Sequence, residues 1–262
     1  MSLDALDQDW TEIATGCWVR GYAEWNVNVG VVAGDDGLLV VDTRGTAEQG
    51  QELRRHIARL DPRPVRWVVN THQHFDHVRG NIAFDDARIH AHENAAAALA
   101  DADRPPDTTL SSVAALDLGD RYVEVFYPGR GHTDGDVVIR VPDIDVVFAG
   151  DLVEESAPPS LGPDSYPMEW PDTLELVIGV LGEHSSVVPG HGAPVGHPFV
   201  LDQRGDLADV ANTIGRLRQQ GASVEEALQQ GEWPWDPSLL ADAVRRGYEH
   251  LGPQRPGLPL LE

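Results

Sequence analysis

Three histidines and an aspartate lie within six consecutive positions, directly after a short apolar run. They are His72, His74, Asp76 and His77, in the stretch VVNTHQHFDHVRGN. Neutral imidazole and carboxylate are the ligands that Zn²⁺ accepts in catalytic sites. On an extended segment His72 and His74 project the same way and can bind one ion, whereas the other two point toward a second ion. This stretch therefore predicts a metal site.

A metal site needs more ligands than one segment provides, and three further stretches have a suitable form. Each is a short apolar run, then glycine, then a residue that can bind metal, namely His132, Asp151 and His191. Carboxyl ends of strands are where open α/β sheets place their sites, and glycine lets the backbone turn sharply there. We therefore expect all seven side chains to converge.

Predicted strands and helices alternate along the chain, and these elements must position the seven residues. Strands are predicted over 17–25, 27–34, 37–43, 65–70, 88–93, 185–190 and, as two or three segments, 121–150. Helices are predicted from the capping pair Thr46 and Gln49, from near Val78, over 94–102, from Pro171, and along the tail. The last helix is predicted to start at Asp236 and Pro237. No linker rich in Gly and Ser interrupts the pattern. It predicts one α/β (α+β) domain over 1–262, with a helical C-terminal extension at about 203–252.

Composition narrows the possible functions. The formal net charge is −24, which disfavours nucleic acid and anionic membranes as partners. All 19 basic residues are arginine, so a Schiff-base lysine and the lysine of a phosphate-binding P-loop are excluded. The one cysteine, Cys17, cannot form an internal disulfide. With a polar, acidic N-terminus and no long apolar run, the sequence predicts a cytoplasmic protein that acts on a small molecule. Its oligomeric state is left open.

The ligand pattern resembles that of the metallo-β-lactamase-fold hydrolases. Their signature is H-x-H-x-D-H followed by a distant His, Asp and His, and the likeness covers roughly residues 15 to 200. It implies a four-layer αβ/βα sandwich, with two sheets face to face and helices outside. It also implies two divalent ions, Zn²⁺ in the first place, with iron or manganese as alternatives. His72, His74 and His132 would hold one ion, Asp76, His77 and His191 the other, and Asp151 would bridge both.

The resemblance also implies a mechanism. A metal-bridging hydroxide would attack an electrophilic carbonyl, because bound zinc lowers the pKa of water to about 7. Asp76 and Asp151 are the predicted catalytic carboxylates: Asp151 sets the spacing of the ions and Asp76 orients the nucleophile. Asp42 closes the early strand LLVVDT, as an aspartate does in the family. We expect it to orient a metal ligand, and the alternative is a turn residue at the strand end.

Departures from the family pattern restrict the subgroup. Asp151 stands where secreted lactamases have cysteine, and His74 stands where flavodiiron reductases have glutamate. Glyoxalase II and persulfide dioxygenases follow the bridging aspartate with Gly-Cys-Gly-Arg, but here DLVEESAPPSLG takes that place. We therefore predict hydrolysis of a small carbonyl ester, thioester, lactone or amide. The alternatives are a mononuclear iron oxidoreductase of the persulfide dioxygenase type, a weak β-lactamase, and a non-catalytic protein that kept the site.

Aromatic and sulfur side chains are the candidates for the substrate wall. Trp25 lies in the first predicted hairpin, and Tyr166, Met168 and Trp170 lie in the long loop 154–170. Loops of this length often cover active sites. His90 and His92 form a second H-x-H without a carboxylate at ligand spacing, so we predict structural or solvent-facing roles for them.

Overall fold

Twelve strands and seven α-helices are present in residues 9–252, the part of the chain that the computed structural model describes. The strands are β1 (Thr11–Ala14), β2 (Cys17–Tyr22), β3 (Val27–Gly34), β4 (Gly37–Val41), β5 (Val65–Val69), β6 (Arg88–His92), β7 (Thr108–Leu110), β8 (Val113–Asp117), β9 (Tyr122–Phe126), β10 (Val138–Val141), β11 (Val146–Glu154) and β12 (Ser186–His191). The helices are α1 (Ala47–Leu60), α2 (Phe75–Val78), α3 (Glu93–Ala98), α4 (Trp170–Ile178), α5 (His197–Gln219), α6 (Val224–Gln230) and α7 (Ala241–Leu251). The predicted domain's ends, 1–8 and 253–262, lie outside the described residues.

The strands form two sheets whose backbones pair with each other at one point. Their hydrogen-bonded order is β7-β6-β5-β4-β3-β12-β11-β10-β9-β8, with β2 and β1 beside β3. β2 pairs along β3 from Cys17 to Tyr22, whereas β12 meets β3 only where His191 lies opposite Val27. We call β1–β7 the first sheet and β8–β12 the second sheet. This pair joins the two sheets into a continuous ladder.

Three apolar clusters define the layers. One lies between the sheets and includes Val32 and Leu39 from the first sheet and Phe148 from the second. A side chain at Gly30 would bring its Cβ within 2.2 Å of the Phe148 ring, so glycine allows this close approach. The other two clusters lie outside: α1 packs on the first sheet through Leu53, and α4 and α5 pack on the second sheet. The order helix, sheet, sheet, helix confirms the predicted four-layer sandwich.

The pairing directions bring several strand ends to one edge. β4, β5, β6 and β7 run parallel to one another, and β11 runs parallel to β12. The segments after β4 and β5 and the end of β12 carry Asp42, His72 and His191. The carboxyl ends of parallel strands are where α/β sheets place their sites.

Several helix boundaries differ from those predicted. The helix after β5 begins at Phe75 rather than near Val78, so Asp76 and His77 lie within it. Thr46 caps α1 by accepting from the Gln49 amide, but the Gln49 side chain accepts from Gly45 rather than from the capping residue. Asp236 caps a 3₁₀ turn, and α7 starts only at Ala241.

The C-terminal helices cover the second sheet. α5 begins at His197, before the predicted 203, and Tyr248 and Val244 of α7 belong to the same apolar cluster as Ile214 of α5. Among the described residues, no helix is long and apolar enough to cross a membrane. The single-domain organisation stays a prediction.

Candidate metal centre

The seven predicted ligands lie together at the edge of the two sheets. The ligand atoms of His72, His74, His132 and Asp151 are within 4.8 Å of one another, as are those of a second group, Asp76, His77 and His191. Asp151 connects the groups: its Oδ2 lies 3.5 Å from His132 Nε2, and its Oδ1 lies 3.2 Å from His77 Nε2. The structure therefore brings together all seven residues that the sequence singled out.

Two of the ligands do not occupy the strand ends predicted for them. Asp151 lies inside β11, which continues to Glu154. The register of β11 with β12 shifts at this point, and Gly150 has a left-handed φ of 54°. This irregularity turns the Asp151 side chain toward the other ligands. His132 lies in the loop between β9 and β10 rather than at the end of β9.

A hydrogen bond orients each of the five metal-site histidines through the ring nitrogen that points away from the centre. His77 Nδ1 donates to Asp42 Oδ2 at 2.8 Å, and His74 Nε2 donates to Asp164 Oδ2 at 2.8 Å. The remaining acceptors are Ser160 O for His132, Trp25 O for His191 and Thr71 Oγ1 for His72. Such partners set the tautomer and orientation of metal-binding imidazoles.

Asp42 is the hub of this supporting network. It is buried in a left-handed conformation (φ 62°) and accepts from the backbone amide and the hydroxyl of Thr71, at 2.8 Å each. Because Thr71 in turn contacts His72, Asp42 supports one histidine from each group of ligands. This placement supports the predicted orienting role rather than that of an isolated turn residue.

The donor set fits a metal ion. His72 Nε2 is fully buried without a hydrogen-bond partner among the described residues, and it faces Asp151 Oδ2 at 3.8 Å. Burial lowers the pKa of His132 to about 4 and holds the pKa of His72 well below its usual value. Both imidazoles are therefore neutral at pH 7, as metal ligands must be. Imidazole and carboxylate suit zinc, iron and manganese.

Protons partly neutralise the cluster when no cation is bound. Burial alone would raise the pKa of Asp151, but the charges of His77 and His191 hold it well below its usual range. Burial opposes charge on His191, yet the neighbouring Asp151 carboxylate raises the pKa of His191 to about 9. A metal ion would replace these protons on the imidazoles.

A cavity of about 750 Å³ lies over the centre. Trp25 and Phe75 form one wall, with their rings edge to face at a centroid distance of 5.3 Å. Residues of the loop 155–169, including Pro158 and Pro163, form the opposite wall, and Glu154 also lines the cavity. The structure thus places Trp25 where the sequence predicted it.

The other three predicted wall residues do not line this cavity. Trp170 is fully buried, and its Nε1 donates to Leu152 O at 3.2 Å. Tyr166 lies between two arginines, with guanidinium carbons 4.6 and 4.9 Å from its ring centroid. Met168 packs against the apolar cluster under α5 and α7. These three side chains pack against the protein beneath the loop and hold it in place. The smaller residues within 156–164 line the cavity instead.

Sequence reasoning missed Thr71, Phe75, Glu154 and Asp164. Thr71 and Phe75 adjoin metal ligands, so their proximity was a usable signal. Nothing in the sequence pairs Asp164 with His74, since that contact depends on how the loop folds. His92 stacks on Tyr127 at 4.0 Å and accepts from the Asn94 amide at the start of α3, which supports its predicted structural role.

Comparison with known proteins assigns the family. The sequence profile of the metallo-beta-lactamase superfamily matches residues 22–209, so the chain belongs to this superfamily. Its homologues there are metal-dependent hydrolases, which is the class that the ligand pattern predicted. The resemblance inferred from the motif is therefore confirmed.

Individual relatives show how far the likeness extends. The chain is 34% identical over 161 residues to the metallo-beta-lactamase type 2 of Bacillus cereus, covering 60% of this chain and 63% of that protein. It is 28% identical over 196 residues to the 2,4-dinitroanisole O-demethylase subunit alpha of Nocardioides sp. strain JS1661, covering 70% of this chain and 59% of that protein. The chain thus spans less than two thirds of the length of these curated relatives.

Solved structures agree with the sandwich. A metallo-beta-lactamase from Pontibacter korlensis superposes with a TM-score of 0.69 at 25% identity, over 76% of this chain and 98% of that one. The metallo-beta-lactamase FIM-1 from Pseudomonas aeruginosa, in its mono-zinc form, superposes with a TM-score of 0.68 at 22% identity, over 79% of this chain and 98% of that one. The second likeness shows the fold alone.

Proposed function

We propose that the chain is a dinuclear zinc-dependent hydrolase that cleaves a small carbonyl ester, thioester, lactone or amide. The observation that carries this proposal is the convergence of seven imidazole and carboxylate ligands in two groups, with the carboxylate of Asp151 between them. The buried Nε2 of His72, which has no hydrogen-bond partner within residues 9–252, adds a lone pair that a cation would satisfy. Membership of a superfamily whose homologues are metal-dependent hydrolases supports the reaction class.

Each residue has a defined task in this proposal. His72, His74 and His132 would hold one ion, Asp76, His77 and His191 the other, and Asp151 both. Bound zinc supplies a water of lowered pKa and polarises the substrate carbonyl.

The protein itself supplies orientation and shelter from solvent. Asp42 and Asp164 fix the imidazole rings of His77 and His74. Asp76 Oδ2 lies 3.5 Å from His191 Nε2, next to the cavity, where it can orient the attacking water. Trp25 and Phe75 limit the access of bulk water from one side of the cavity.

Metal analysis and a substrate panel test the proposal together. We expect about two zinc ions per chain and turnover of lactones, thioesters, aryl esters or amides, with Asp151→Ala abolishing both turnover and full loading. Asp202→Asn, an exposed carboxylate on α5, is the matched control and should change neither. A protein that stays metal-free when zinc, manganese and iron are all supplied would overturn the proposal.

β-Lactam hydrolysis is the second candidate. The likeness to the Bacillus cereus metallo-beta-lactamase favours it. β-Lactams and phosphodiesters therefore belong in the same panel. Turnover of β-lactams at least as fast as that of lactones and esters would make this the better assignment.

The third candidate is the iron oxidoreductase, which one iron per chain and sulfur-dependent oxygen uptake would identify.

The cytoplasmic location stays a prediction, which cell fractionation would check.

A further inference from the structure

Glu154 is a buried carboxylate at the cavity that the two predicted ion sites do not use. It is the last residue of β11, three positions after Asp151, and only 7% of its surface is exposed. A carboxylate oxygen of Glu154 lies within 4.8 Å of ligand atoms of Asp151 and His191. Glu154 therefore lies beside the metal centre and faces the space that a substrate would occupy.

Hydrogen bonds hold Glu154 in this position. Its backbone amide donates to Gln203 Oε1 at 3.0 Å, and its Oε1 accepts from Ser156 Oγ at 2.7 Å. The side chain is thus oriented before any ligand arrives, which reduces the entropy lost when a ligand contacts it.

The other carboxylates that line the cavity have separate tasks. Asp76 and Asp151 belong to the ligand groups, and Asp164 accepts from His74. The rings of Trp25, which is 64% exposed, and Phe75 also line this cavity. The cavity therefore offers an aromatic wall for an apolar group and, at Glu154, an anchored acceptor for a hydrogen-bond donor.

We propose that Glu154 determines substrate specificity, by accepting a hydrogen bond from a cationic or donor-bearing group of the substrate while the apolar part packs on Trp25 and Phe75. Burial raises the pKa of Glu154 to about 7, and a cation or donor bound to it favours the ionised form. In that form it binds the cation or donor more strongly than an exposed carboxylate would, and it repels a second carboxylate. Substrates that carry a carboxylate near the scissile bond are disfavoured. This inference rests on the proposed function, since it describes the substrate of that same site.

Short thiols test the proposal without turnover. The probes are 2-aminoethanethiol, 2-mercaptoethanol and 3-mercaptopropionate, which share a zinc-binding sulfur and differ in the tail. Calorimetry on the zinc-loaded protein should show that the amine binds at least about tenfold more tightly than the carboxylate. Glu154→Gln, which preserves shape, should reduce this ratio at least about fivefold, and Glu154→Lys should reverse it. Because the comparison is between variants, any intrinsic chelation by the amine cancels.

Glu155→Gln is the matched control. Glu155 is the next residue, is exposed, and accepts from the Ala193 amide outside the cavity, so the ratio should stay at the wild-type value. An unchanged ratio in Glu154→Gln would overturn the proposal. Loss of zinc from Glu154→Gln would also overturn it, since Glu154 would then be a metal ligand. Absence of carbonyl turnover together with an altered thiol ratio would instead refute the proposed hydrolase and leave the role of Glu154 standing.

Discussion

Two carboxylates each orient a histidine of a different predicted ion. Asp42 holds His77, and Asp164 holds His74. We expect Asp42→Asn and Asp164→Asn each to weaken zinc binding by about 10- to 100-fold, mainly at the ion whose histidine has lost its partner. Competition with a chromophoric chelator resolves the two affinities.

Asp86→Asn serves as the control for these variants. Asp86 pairs with Arg54 on the surface, so its removal should leave both zinc affinities unchanged. An Asp42→Asn variant that leaves the ion held by His77 unchanged, or an Asp164→Asn variant that weakens only that ion, would contradict the assignment of ligands to two ions.

Metal binding should release protons. The Asp151 carboxylate raises the pKa of His77 and, against the effect of burial, raises the pKa of His191 to about 9 in the metal-free centre, so this pair of imidazoles holds at least one extra proton at pH 7. A cation binds only the neutral form, so affinity should fall as the pH drops below 9. Calorimetric titration with zinc in buffers of different ionisation enthalpy measures the released protons. An apparent enthalpy independent of the buffer would refute this prediction.

The residues that chemistry restricts most were the ones that the sequence could predict. The seven predicted ligands are recognisable because imidazole and carboxylate are side chains that metal ions accept, and because four of them fall within six consecutive positions. Asp164, Ser160 and the carbonyl of Trp25 were not predictable, because their roles depend on loop conformation and, for the carbonyls, on backbone atoms that every residue carries.

At the scale of elements, the irregularity in β11 is needed for the site. Gly150 has a φ of 54°, and a Cβ there would lie 2.7 Å from the Cβ of Thr71. Gly150→Ala should therefore cost about 1–3 kcal/mol of stability and displace Asp151 and Thr71, with loss of tight zinc binding. Urea unfolding and chelator competition measure the two effects.

Gly205 offers the opposite case as a control. It lies in the interior of α5, and a Cβ there meets nothing within 4 Å. Gly205→Ala should raise stability by about 0.5–1 kcal/mol, since alanine favours helix, and should leave zinc binding unchanged. Equal stability of the two alanine variants would show that the conformation at Gly150 carries no strain.

Element types were predictable where the pattern was long, and their ends were less so. The apolar periodicity of Leu53 and Ile57 correctly predicted α1, because burial on one face decides a helix of that length. The start of α2 at Phe75 and the bulge in β11 escaped prediction. Both depend on contacts with other segments rather than on local preference.

At the scale of the molecule, a bound metal would connect the two sheets. His72 and His74 follow a strand of the first sheet, whereas Asp151 and His191 belong to the second. Removing metal should therefore lower the melting temperature, because a ligand at 100 times its dissociation constant stabilises the folded state by about 2.7 kcal/mol. Calorimetry with and without a chelator measures this. Asp151→Asn is the control, and a chelator effect in that variant equal to the wild-type effect would contradict a metal that binds both sheets.

The single backbone pairing between β12 and β3 has a consequence for biosynthesis. His191 follows His77 by 114 residues, yet the two rings meet in the finished centre. A ribosome therefore exposes the three early imidazoles and their carboxylate long before β12 has been translated. Until that last strand inserts between β3 and β11, the nascent chain carries an incomplete set of predicted ligands, and a metal ion captured then would be held without His191.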